Sequence, residues 1–249
     1  MTFGLAGIWP IAAGPIIGSF LGVVVTRAAA PRSIVVGRSA CPSCGARLRI
    51  ADLVPILSWL VLRGRCRYCA RPIGAFYPAI ELAAAGAALW AAILVSGGLL
   101  WASCLLGWTL LALGLIDFRS YILPDFLTLP LIPVGLLVNW ALDPASLADH
   151  GIGAAAGFFF VVGLRYAYWK LRGQEGIGLG DAKLLAAAGA WVSWDGLPSV
   201  VLLAALIGLA TALLQHWRHG GVSMSDRVPF GAFLCVGIWI VWLYGPLQV

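Results

Sequence analysis

Two aspartates beside long apolar runs are the residues best placed to do chemistry. Asp117, in LGLIDFRSYILPDFLTLP, closes one run, and Asp181, in GIGLGDAKLLAAAGAW, opens another. An ionisable side chain at membrane depth is costly and therefore marks a functional position. Two carboxyl groups that share a site and cannot both ionise are the acid/base device of aspartic proteases, one activating water and the other protonating the departing amine. Gly176, Gly178 and Gly180 strip side chains from the approach to Asp181, which lets a substrate backbone come close. The competing reading of each aspartate alone is a helix cap or an ion pair with Arg119 or Lys183. Asp125, which follows Pro124, reads as an N-cap and not as a member of the pair. The helix macrodipole predicts opposite roles, with Asp181 at a helix N-terminus as the resting carboxylate and Asp117 at a C-terminus as the resting acid.

A second constellation is Cys41, Cys44, Cys66 and Cys69, two C-x2-C pairs separated by 21 residues. Two such turns present four thiolates tetrahedrally, which suits a structural zinc ion with no open ligand position. A tetrathiolate zinc centre carries a net negative charge, and Arg47, Arg49, Arg63, Arg65 and Arg67 lie close in sequence to offset it. Two disulfides or four inert thiols are the alternative, disfavoured where the loop faces a reducing compartment. Cys104 and Cys235 fall inside apolar runs and read as packing residues.

The elements that must carry these groups follow from composition. Of 249 residues 61% are hydrophobic and 10% charged, against about 25% charged in a soluble domain. Too few polar side chains exist to coat a soluble globule, so the chain reads as an all-α polytopic membrane protein. Apolar runs near residues 3–25, 78–96, 99–116, 126–142, 151–169, 182–194, 197–217 and 229–247 predict about eight transmembrane helices. The expected organisation is a first helix at 1–25, a cytoplasmic cysteine loop at 26–77 and a seven-helix membrane domain at 78–249. With that loop inside, all 16 Lys and Arg residues fall on the cytoplasmic side. Asp143, Asp149, His150 and Asp195 fall on the other, in keeping with the positive-inside rule. The basic bias then needs no nucleic acid to explain it. The first run has no basic residue ahead of it and no convincing cleavage site, and reads as a retained span.

The GLGDAKLLAAAGAW and IDFRSYILPDFLTLPL segments, the paired CxxC loop, GSFLGVVVTR, PILSWLVLRGRC and the final PFGAFL together resemble bacterial type IV prepilin peptidases. These are the GxGD-type intramembrane aspartic proteases of pilus and type II secretion systems, and the match runs from about Gly18 to Leu234. The resemblance implies an enzyme of the bacterial inner membrane that cleaves the leader of a prepilin or pseudopilin at the cytoplasmic face. It further implies that Asp117 and Asp181 are catalytic, that the four cysteines hold zinc, and that the new N-terminus is methylated with S-adenosylmethionine. Glu81, in YPAIEL, matches the family pattern. Gly22, Leu53 and Phe76 stand where the family commonly has Asn, Asn and Arg. Two other classes are weighed against this reading. A transporter or proton pathway through the aspartates favours carboxylates at mid-membrane and an internal repeat, neither of which is visible. A non-enzymatic assembly scaffold would leave both aspartates replaceable.

Overall fold

In a computed structural model the described residues are 7–28, 40–41, 43–174, 178–219 and 228–247. Gly176, Arg32, Arg38 and Arg227 lie outside them. The described chain is helical throughout apart from loops and two isolated bridges, Ala40 to Arg47 and Arg65 to Pro72. The helices are α1 Ile8–Arg27, α2 Leu57–Val61, α3 Phe76–Leu94, α4 Gly98–Ser120, α5 Asp125–Leu142, α6 Leu147–Arg172, α7 Leu179–His219 and α8 Phe230–Tyr244. Six of these helices are long and apolar enough to cross a membrane, and α8 is a shorter apolar helix. The chain is a multi-pass membrane protein. It divides into two compact units, Met1–Ala112 and Leu113–Val249.

In the first unit α1 lies directly on α3. A Cβ added to Gly14 would stand 2.6 Å from the Ala85 Cα, and one added to Gly18 2.6 Å from the Glu81 Cα. Small residues one turn apart let two backbones touch where no aqueous hydrophobic effect drives association. The Trp108 indole N–H donates to the Ala84 carbonyl at 2.9 Å and ties α4 to α3.

In the second unit the sixth and seventh expected spans form one element, α7, folded at Ser193. The Ser193 backbone is non-helical, with φ 63 and ψ 179. A straight helix of 41 residues would extend about 60 Å, twice the hydrocarbon thickness. The fold at Ser193 resolves this by making two arms. The contacts of α8 show that the arms run antiparallel. Gly237 of α8 meets Val200 and Gly208 meets Phe233, so α8 descends along the second arm. Gly231, at the α8 start, meets Leu123, which also meets Gly180 at the start of the first arm. Within the described residues each of the eight apolar runs falls largely in helix, although only six helices reach membrane length.

The first arm is clamped on both sides. From α5, the Asn139 side-chain amide donates to the Ala190 and Trp191 carbonyls at 3.1 and 3.2 Å, and the Trp191 indole N–H donates back to Leu131 O at 2.9 Å. On α6, Gly153 and Gly157 lie against Gly189 and Leu185, so closely that a Cβ on Gly189 would collide with the Gly153 carbonyl group. We expect Gly189→Ala to cost at least the 1–3 kcal/mol typical of overpacking, because backbone and not a side chain must yield. Gly163→Ala meets nothing within 4 Å and should gain up to about 1 kcal/mol of helix propensity. Thermal unfolding of the two variants in detergent checks both signs.

Candidate active site and metal centre

The turn from α4 to α5 sets the first carboxylate. Tyr121 takes a left-handed conformation, φ 54, and its N–H donates to the Asp117 carbonyl at 2.8 Å, which ends α4. Pro124 then blocks continuation and precedes α5. This leaves Asp117 three residues from the end of α4, with its side chain buried. Its Oδ2 accepts the backbone N–H of Ala232 at 2.9 Å, in the first turn of α8. Gly231 makes this possible: a Cβ there would lie 3.0 Å from the Asp117 Oδ2.

Asp181 is the third residue of α7 and is half-buried. The Gly178 backbone N–H is directed at its carboxylate, the returning half of a capping box. The Asp117 and Asp181 carboxyl groups are near enough to act on each other electrostatically, and both act on the Cys235 thiol. Leu123 packs against the glycine beside each: a Cβ on Gly180 would lie 3.0 Å from its Cβ, and one on Gly231 2.8 Å from its Cδ1. One carboxyl group is thus buried and its neighbour partly exposed, and a Cβ added to Gly178 would lie 3.6 Å from the Asp181 Oδ2.

Two details differ from the sequence reading. Asp117 ends its own helix but also occupies the N-terminus of α8, so both carboxylates face a helix N-terminus and the macrodipole does not divide their roles. Asp125 is not an N-cap. The cap position is Pro124, and Asp125 accepts two hydrogen bonds from Lys183 Nζ, at 2.6 and 2.8 Å. Lys183 therefore pairs with Asp125. Leu123, Gly231, Ala232 and Cys235 were missed as neighbours of the pair. The only sequence signal for them is a Pro-x-Gly-Ala helix start with unpaired N–H groups, 115 residues beyond Asp117.

The four cysteines meet as expected. The sulfurs of Cys41, Cys44, Cys66 and Cys69 all lie within 4.8 Å of one another, and this group could bind a metal ion. The two turns are built alike. Cys41 N–H donates to Ala46 O and its carbonyl accepts Gly45 N–H, while Cys66 N–H donates to Arg71 O and its carbonyl accepts Ala70 N–H, each at 2.9 Å. The backbone N–H groups of Cys44 and Ser43, aimed at the Cys41 sulfur, bring that thiol down to about 6. Asp52 ties the turns together by accepting from Arg67 Nε at 2.7 Å. Cys104 and Cys235 are buried packing residues.

Two family models match in tandem: the bacterial peptidase A24 N-terminal domain over residues 12–95 and the type IV leader peptidase family over 104–213. Membership follows from relatives over nearly the full length. The chain is 44% identical to a prepilin leader peptidase/N-methyltransferase of Burkholderia pseudomallei (strain 1026b), covering 94% of this chain and 84% of that protein. It is 43% identical to one of Aeromonas hydrophila, over 86% and 74% of the two chains, and 35% identical to one of Pseudomonas aeruginosa, over 93% and 88%. The chain belongs to the type IV leader peptidase family. No solved structure matches it significantly.

Proposed function

We propose that this chain is a prepilin or pseudopilin leader peptidase of the bacterial inner membrane that cuts by an Asp117 and Asp181 pair at the cytoplasmic face. The observation that carries this is the pairing of a buried carboxyl group with a partly exposed one, both at helix N-termini opened by glycine. A peptide backbone approaching past Gly178 and Gly180 places its scissile carbonyl beside the pair. One carboxylate takes a proton from water as the water attacks that carbonyl, and the other carboxylic acid protonates the departing amine. Which carboxyl begins protonated is a property of the coupled pair. The working parts on this reading are a first helix at 1–25, a cysteine loop at 26–77 and a protease domain at 78–249.

Asp125 serves as the control carboxylate. Its pair with Lys183 is exposed, at 57% for Asp125 and 28% for Lys183, and such pairs contribute about 0–1 kcal/mol. Asp125→Asn should keep leader removal within a few-fold of the unsubstituted protein. A gel assay of prepilin processing reads this directly, and loss of cleavage would place the wrong aspartate in the pair.

The four thiolates suit zinc: soft donors, four in number, held by matched backbone turns with no position left for substrate. The metal would hold the loop together and do no chemistry. Cys41→Ser or Cys66→Ser should lose bound zinc and folded yield together, and the zinc content of purified protein tracks the first. A zinc-free variant of normal stability and activity would contradict the structural role.

Methylation of the new N-terminus with S-adenosylmethionine is proposed from the relatives' name alone. Of the positions the family pattern marks, Glu81 is buried and accepts the Ile56 N–H at 2.7 Å. Gly22 and Phe76 offer only backbone and an aromatic ring beside Tyr77. The mass of a processed pilin distinguishes cleavage alone from cleavage with methylation.

A further inference from the structure

Between the two cysteine turns the chain runs through the 3-10 turn Ile50–Leu53 and the short helix α2, Leu57–Val61. This stretch lies outside the spans yet presents large apolar side chains: Ile50 is 89% exposed, Leu57 61%, Leu60 56% and Val61 77%. Leu57, Leu60 and Val61 share one face at i, i+3 and i+4. Trp59 points the other way, its indole N–H donating to Ile73 O at 3.1 Å and its ring lying against Gly64. The apolar face is therefore the one turned away from the rest of the loop.

Its depth is set by one bond. The Ile56 N–H donates to the Glu81 Oε2 at 2.7 Å, with Glu81 buried in α3. The 19 residues of α3 extend about 28 Å, barely the hydrocarbon thickness, so α3 must lie across the core from end to end. Glu81 is five residues in from Phe76, about 7 Å along the helix. Ile56 is thereby drawn to the boundary of the apolar core, and it is held there at a positive φ, φ 61 and ψ -52, that a β-branched residue adopts only under constraint. Residues 40–75 around this face carry six arginines, Arg47, Arg49, Arg63, Arg65, Arg67 and Arg71, against the single acid Asp52.

We propose that residues 50–62 lie in the membrane interface, with Ile50, Leu57, Leu60 and Val61 among the acyl chains of the leaflet on the side of the cysteine loop and the arginines on anionic headgroups. An apolar face with a basic rim is the pattern of an interfacial segment, and anionic lipid supplies the opposite charge. The cysteine turns on either side would then be seated against the bilayer by their own connecting segment. This placement is independent of whether the aspartates cleave anything.

The test is collision-accessibility spectroscopy on the full-length protein. A spin label is attached at Leu60, and separately at Val61, through a ketone-bearing unnatural amino acid that spares the cysteines. The protein is placed in nanodiscs of phosphatidylcholine and phosphatidylglycerol, or of phosphatidylcholine alone. Both labels should report a position about 5–10 Å below the phosphates in the mixed lipid and a shallower one in the neutral lipid. Labels reached mainly by a water-soluble nickel chelate would overturn the proposal. Protection from both oxygen and nickel would also overturn it, by showing a protein cover such as the prepilin or a second copy. Equal depth in both lipids would remove the role given to the arginines.

Discussion

Asp117→Asn and Asp181→Asn should each slow leader removal by about 10²–10⁴-fold, the range that positioned acid/base groups supply. The double variant should fall no further than the worse of the two, because two groups serving one proton transfer fail together. Asparagine keeps the shape and can still accept the Ala232 N–H that Asp117 holds at 2.9 Å, so the fold of the second unit should survive. What is lost is the proton that must move from water to amine. Single-turnover cleavage of a purified prepilin in detergent gives the three rates. Additive losses would mean that the two aspartates act in separate steps.

Gly231→Val is the second large effect. The added Cβ would meet Leu123 Cδ1 at 2.8 Å and Asp117 Oδ2 at 3.0 Å, and valine carries two further methyl groups into the same space. Asp117 can swing aside only by giving up the α8 N-terminus. Misplacing a catalytic group by about 1 Å costs on the order of 10²-fold, so activity should drop by about that factor. The helices themselves need not part, because the clash is with side-chain atoms. Cleavage rate and melting temperature measured on one preparation separate the effects: a large loss of rate with a melting temperature near that of the unsubstituted protein is the expected result. Full activity in Gly231→Val would show that Asp117 does not work from this position.

The parts of the site readable from the sequence were those whose chemistry is local. Asp117 and Asp181 stand out because each is a charge at the end of an apolar run, and the four cysteines because their spacing encodes a ligand set. The helical spans follow from composition, and even the shortness of the first arm of α7 is written in its length. What stayed hidden depends on which helix end meets which. Nothing near Asp117 announces that Ala232 will donate to it, so the macrodipole reading saw only the C-terminus of α4 and missed the N-terminus of α8. Asp125 was misread for a similar reason, since a residue after proline has the look of a cap until Lys183, 58 residues on, takes both its oxygens. The fold at Ser193 was also illegible as a fold: the two runs were separable, but a serine at φ 63 has no sequence mark. Glu81 shows the same limit in the first unit: its match to the family pattern says nothing of Ile56, whose N–H it accepts at 2.7 Å.

The most direct test of the central claim is the intact mass and N-terminal sequence of a prepilin incubated in bilayer nanodiscs with the purified protein, run beside Asp117→Asn, Asp181→Asn and Asp125→Asn. The expected result is a pilin shortened by its leader with the unsubstituted protein and with Asp125→Asn, and a full-length prepilin with the other two. A pilin shortened by its leader in the presence of both Asp117→Asn and Asp181→Asn would contradict it.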